Sequence, residues 1–168
     1  EEDNTYLDID TAKHNRFIDC EKEVDFEFDL AEEVRSYSGG VIRLPCDVLL
    51  EEKLTIDRDM EIDGNGFTIY GSRENVPSAI ELVGGSLVLS NVTLMGFGGA
   101  ADQAEGGVIR IPATADADVQ LTAVDVNIAD FHHSAYHLAA GSFIIRGGEI
   151  ILSGGMDTAR PAVGMEIG

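Results

Sequence analysis

Four carboxylates recur at every second position over a short stretch: Asp57, Asp59, Glu61 and Asp63, with Gly64 next. Calcium takes carboxylate and carbonyl oxygens, and a calcium loop opens on alternating acids followed by a glycine. The run Asp59-x-Glu61-x-Asp63-Gly64 echoes that opening, but its twelfth position is Tyr70, where an EF-hand needs a bidentate acid. An EF-hand is excluded; a shallow, weak calcium site on an acidic face is the metal candidate that remains, and a solvated edge beside an ordinary glycine turn is the plainer reading. No cofactor is required by any motif. His132, His133 and His137 form a second cluster. Neutral imidazoles hold zinc or copper, yet an adjacent pair rarely chelates one ion, and Asp130 is the single acid beside them. Polar corner residues are the plainer reading. Tyr70, Tyr136 and His137 are the candidates for stacking on or bonding to a sugar. Cys20 and Cys46 form no CxxC pair, so a thiolate metal site is not expected. They pair as a disulfide in an extracellular protein, or serve as small buried hydrophobes in a cytosolic one. Asn91-Val92-Thr93 satisfies the N-glycosylation sequon; its counterpart in the repeat described below is Asp125, which equally suits a corner asparagine bonding within its turn. No phosphate-cradling loop, nucleophile elbow or Cys/His dyad occurs, and no catalytic residue is assigned.

The 168 residues hold 31 acids against 11 bases, a net charge of −20. A nucleic-acid partner is excluded, since binding phosphates needs a cationic surface, and anionic membrane surfaces are disfavoured for the same reason. No apolar run is long enough to insert in a membrane. At 44% hydrophobic the chain has the residues for a core, which disordered acidic tails lack. Eight arginines against three lysines, with so many acids, suit salt-rich surroundings or a secreted acidic protein.

The elements that carry these residues are short and repeated. Gly39 to Pro45 reads GGVIRLP and Gly106 to Pro112 reads GGVIRIP. Leu87, Leu89, Val92, Leu94 and Phe97 align without a gap on Leu121, Ala123, Val126, Ile128 and Phe131. A further series sets Ala79, Gly107, Ala135 and Ala162 in register. Apolar residues alternate within each repeat, which places one face of a short strand inward, and glycine pairs mark the corners. Three short strands per repeat describe the rungs of a β-solenoid, with stacks such as Leu94/Ile128/Ile150 as core. The expected fold is all-β, a right-handed parallel β-helix of about five rungs over residues 29–168. A capping helix over 29–38 is expected to start at Asp29, with Glu32 completing a capping box. Residues 1–28 read as an acidic arm or added strand. Met165-Glu166-Ile167 reads as the first strand of a further rung with nothing to cap it.

The segment from Leu30 to Gly71 resembles the opening of right-handed β-helix proteins of the pectate-lyase-like superfamily. There a short helix precedes a Gly-Gly-strand-Leu-Pro segment, an L-x-I strand and an I-x-G-x-G turn. The counterparts here are Leu30–Tyr37, Gly39–Pro45, Leu54-Thr55-Ile56 and Ile62–Gly66. The resemblance implies the scaffold and says little of activity, because that scaffold serves lyases, hydrolases, tailspikes, adhesins and surface proteins alike. The catalytic sets of its galacturonan hydrolases (Asn-Thr-Asp, Asp-Asp, Gly-His-Gly, Arg-x-Lys) are missing. The lyases' pairing of calcium carboxylates with a basic residue on a neighbouring rung also finds no match, since Arg110 and Arg146 stand alone on their strands. The expected function is an extracellular or cell-surface structural or adhesive module, self-associating head to tail by strand addition at the open rung, or continuing into further rungs. The alternative is the N-terminal part of a polysaccharide lyase, hydrolase or tailspike, with a polysaccharide as partner.

Overall fold

A computed structural model describes residues 28–71, 76–98, 107–131, 134–151 and 163–167. It is an all-β structure with parallel sheets. Thirteen strands follow one short helix, α1 (Leu30–Arg35): β1 (Ile42–Arg43), β2 (Val48–Leu50), β3 (Leu54–Ile56), β4 (Met60–Asp63), β5 (Thr68–Gly71), β6 (Ile80–Leu82), β7 (Ser86–Met95), β8 (Gly107–Ile111), β9 (Gln120–Ala129), β10 (Ser134–Leu138), β11 (Ser142–Arg146), β12 (Ile150–Ile151) and β13 (Val163–Ile167). Eight strands make one sheet and five the other, and every pairing is parallel.

The larger sheet bends. β7 and β9 each carry a left-handed residue at mid-length, Asn91 (φ 51°) and Asp125 (φ 53°). Either side of that bend the partners differ: β4 pairs with the first half of β7, and β5 with the second. Three ladders result. The first is β1, β4, the first halves of β7 and β9, then β11. The second is β2, β5, the second halves of β7 and β9, then β12. The third is β3, β6, β8, β10 and β13. The chain visits them in the same order five times.

Alternation along each strand aims one residue set inward, and parallel register stacks that set on the next pass. On the first ladder the column is Ile42, Ile62, Leu89, Ala123, Ile145; on the second it is Val48, Ile69, Leu94, Ile128, Ile150. On the third it is Leu54, Ile80, Ile109, Tyr136, Met165. Burying each aliphatic chain contributes about 1.5–3 kcal/mol. The alignment of Leu87, Leu89, Val92 and Leu94 on Leu121, Ala123, Val126 and Ile128 matches the register of β7 on β9.

Two repeat readings are corrected. The two near-identical heptapeptides lie on different ladders, Ile42–Arg43 on the first and Gly107–Ile111 on the third. They share an in–out pattern and not a place in the repeat. On the third ladder Ile80 pairs with Ile109 and Tyr136 with Met165, one and two residues beyond the positions the sequence alignment assigns. A one-residue slip exchanges the two faces of a strand. The alignment would have turned Arg110 inward, and burying an unmatched guanidinium is far costlier than shifting the register.

The helix is shorter than expected, ending at Arg35 with Ser36 as C-cap. Asp29 is the N-cap and its side chain accepts from the Glu32 N–H at 3.0 Å. The reciprocal half of the box is replaced, since the Glu32 carboxylate takes Arg35 Nε at 3.2 Å. Leu30 and Val34 are buried in the core, and α1 lies against β2 and β3. The expected arm, residues 1–28, lies outside the described residues except for Phe28, which is half-buried against the core.

Candidate functional site

The richest chemistry falls on the outer face of the third ladder. Alternation there turns Thr55, Glu81, Arg110 and His137 outward, and register places them side by side on successive strands. Glu81 Oε2 accepts from Lys53 Nζ and lies 3.6 Å from Arg110 Nη1. All three side chains are largely covered, at 16% exposure for Glu81, 19% for Arg110 and 34% for Lys53. One carboxylate thus serves two cations carried by strands or strand ends of three successive passes. His137 is half-buried next to Arg110 in register. The sequence reading saw Arg110 alone on its strand; only the register of the third ladder shows that Lys53 and Arg110 meet at Glu81.

The four candidate calcium ligands are placed differently from a metal loop. Asp57, Asp59 and Glu61 are exposed and Asp63 half-buried, all on the outer side of the chain. Three of the four are engaged separately. Asp57 bonds Arg58 Nε at 2.7 Å, and that pairing holds its carboxyl below the usual range. Asp59 Oδ1 accepts the Ser86 N–H at 2.9 Å. Asp63 Oδ1 accepts from the Asn65 N–H (2.9 Å) and Asn91 Nδ2 (3.2 Å), and its Oδ2 from Arg43 Nε (3.0 Å). The Asn65 N–H does most to hold the Asp63 carboxyl below its ordinary range, with Asn91 and then Arg43 adding to it. Among the described residues no three of His, Cys, Asp or Glu gather to hold a metal ion. In these bonds Asp57, Asp59 and Asp63 serve as strand and corner residues.

A pattern the sequence reading missed explains several of these acids. Asp47 accepts from the Thr68 N–H at 2.8 Å, Asp59 from Ser86, and Asn127 from the Glu149 N–H at 2.9 Å. In each, a side chain at one corner satisfies the backbone where a strand, or the turn before it, begins one pass later. The available signal was an Asp or Asn recurring near each corner.

Tyr136 is corrected as a sugar-stacking residue. Its parity aims it inward between Ile109 and Met165, it is 1% exposed, and burial pushes its phenol up to about 12. Tyr70 sits on the outer side between Leu49 and Met95 but is 9% exposed, so it offers no open ring face either. Asn91 is exposed at its left-handed corner. The amide nitrogen that would carry a glycan donates to Asp63, 28 residues earlier on the neighbouring pass, so this bond runs between passes and not within the Asn91 turn. Cys46 is disulfide-bonded; Cys20, named with it above, lies outside the described residues, as do His132 and His133.

No protein-family model matches the chain, and no curated protein or solved structure matches it significantly. Among the described residues no helix is long and apolar enough to cross a membrane.

Proposed function

We propose that the chain is a right-handed parallel β-helix that works as a structural module at the cell exterior, and that the last described rung accepts a further β-strand layer. The observation that carries this reading is the contrast between the two ends of the inward columns. Their first members, Ile42, Val48 and Leu54, are 2–7% exposed, whereas Ile150 and Met165, the last members of two columns, are 39% and 37% exposed. Ile167, another inward position, reaches 64%. Among the described residues β11 and β12 pair with β9 alone, and β13 with β10 alone. Such edges add strands readily, because backbone bonding supplies affinity and the apolar row supplies fit. The bonded Cys46 suits an oxidising compartment.

Static light scattering over rising protein concentration tests the module. A mass above that of one chain, with slowed amide exchange in β11, β12 and β13, is expected. A single-chain mass at every concentration would count against assembly by strand addition. A second reading, part of a polysaccharide-active protein, draws on the Lys53, Glu81, Arg110 and His137 row. Glu81 already neutralises one of the two cations there, so the row ranks behind the end face. Eliminative or hydrolytic turnover of a uronate polymer, abolished by Arg110→Ala, would reverse that order.

A further inference from the structure

We propose that the edge of β2 in the first pass is covered by a strand of this chain's own residues 20–28, fastened at its far end by a Cys20–Cys46 disulfide. The inference stands apart from the reading above: it holds whether or not the last described rung accepts a strand. Three observations carry it.

The first is the cysteine count. Cys46 is disulfide-bonded in a chain that has two cysteines, so Cys20 is the one other thiol that can complete the bond. Cys46 is half-buried at the corner between β1 and β2, so the bond brings the segment to the start of β2. Forming it takes two protons and two electrons from the thiols. A disulfide of the oxidising compartment accepts them and leaves as two thiols.

The second is parity. Phe28, the described end of the segment, packs half-buried against the core. In an extended chain alternate residues share a face. Phe26, Val24, Lys22 and Cys20 therefore turn to the side of Phe28, and Glu27, Asp25, Glu23 and Glu21 to the other. The cysteine that must meet Cys46 lies on the face that meets the core, and four carboxylates lie on the face away from it. The eight steps from Cys20 to Phe28 reach at most about 29 Å, enough to run from the Cys46 corner along the whole of β2.

The third is the edge itself. Among the described residues β2 pairs with β5 alone, and the other edge of such a strand accepts a partner through its backbone. A groove of about 580 Å³ lies there, with Phe28, Leu30, Val48 and Leu50 among its walls. Glu51 and Glu52 line it too, and the parity of the segment turns its own carboxylates away from the core side. Cys46 precedes β2, whereas α1, which continues the segment, lies against β2 and β3. A strand drawn from Cys46 to α1 thus runs with β2, the parallel sense of every described ladder.

The test is amide exchange read by NMR on the 168-residue chain, with peptide mapping under non-reducing conditions, for the native sequence, Phe26→Asp and, as control, Asp25→Ala. The expected map contains a peptide pair joined through Cys20 and Cys46 within one chain. The β2 amides should exchange at least tenfold faster in Phe26→Asp, and after reduction by a dithiol, while β7 and β9 stay protected and Asp25→Ala changes nothing. Cys20 found as a thiol, or joined to a second chain, would overturn the fastening. β2 exchange that ignores Phe26→Asp, or that responds equally to Asp25→Ala, would overturn the covering strand, as would β7 and β9 loosening as much as β2.

Discussion

Asp63 illustrates what the acidic residues accomplish one by one. Its two oxygens take a turn N–H, an amide from the next pass and a guanidinium from the previous one. Removing a partly buried acceptor of this kind costs about 1–3 kcal/mol, so Asp63→Ala should lower the unfolding free energy by that order in a urea titration. Because its folded pKa lies below the ordinary aspartate value, the stabilisation is complete above about pH 4 and is lost as pH falls through the lowered pKa. Asp63→Asn should therefore flatten the acid limb of a stability–pH curve. Tyr136 sets the alkaline limit by the opposite sign. Its pKa is raised to about 12, so its neutral form contributes fully below about pH 10 and the contribution is lost as pH climbs towards 12. An ultraviolet titration of the folded protein should show one of the four tyrosines ionising last. Calcium, added at constant ionic strength, should leave the melting temperature unchanged, since Asp57, Asp59 and Asp63 are held apart in separate bonds. The acids were plain in the sequence. Their partners were not, because each lies up to some 28 residues away and depends on register.

Elements were more legible than partners, and their legibility follows from period. Alternation marked β3, β4 and β7 in the sequence because a half-buried strand has no other stable pattern. The β7–β9 register was equally legible, since two ten-residue strands leave little freedom to slip. The third ladder was misaligned because β8 offers two consecutive buried residues, Val108 and Ile109, and only the outward demand of Arg110 selects between them. The helix stops short of the expected 38 because Ser36 supplies its C-cap ahead of Gly39 and Gly40. At the corner between the first two ladders, Asn91, Asp125 and Gly147 (φ 66°) hold adjacent left-handed positions. A Cβ on Gly147 would stand 2.0 Å from Asp125 Oδ1. Gly147→Ala should thus cost about 1–3 kcal/mol in denaturant unfolding, with Asn91→Gly milder than Asn91→Ala, because glycine keeps the left-handed conformation without penalty. Asp29→Ala should cost about 1 kcal/mol through the lost helix cap.

For the whole molecule, composition supplied the core and the charge imbalance, and the ladders locate both. Residues 28–63, which form α1 and the early strands, carry ten acids against four bases, a net −6, and self-repulsion there opposes folding. Screening should relieve it: raising sodium chloride from about 0.05 M to 1 M, which shortens the Debye length to about 3 Å, should raise the melting temperature by several degrees. Substitutions that neutralise Glu51 and Glu52 together should reproduce part of that gain at low salt.

The direction of the backbone bonds has a mechanical consequence. Strands run across the stack and their N–H···O=C bonds run along it, from each pass to the next. Tension along the stack therefore loads the layers in series, and the weakest layer fails first while the others stay shut. Tension along a strand loads several of those bonds in parallel. Pulled along its length the molecule should yield by peeling one layer at a time at low force, and pulled across it should resist as a block, so the protein should be stiff in one direction and a sequence of small releases in the other.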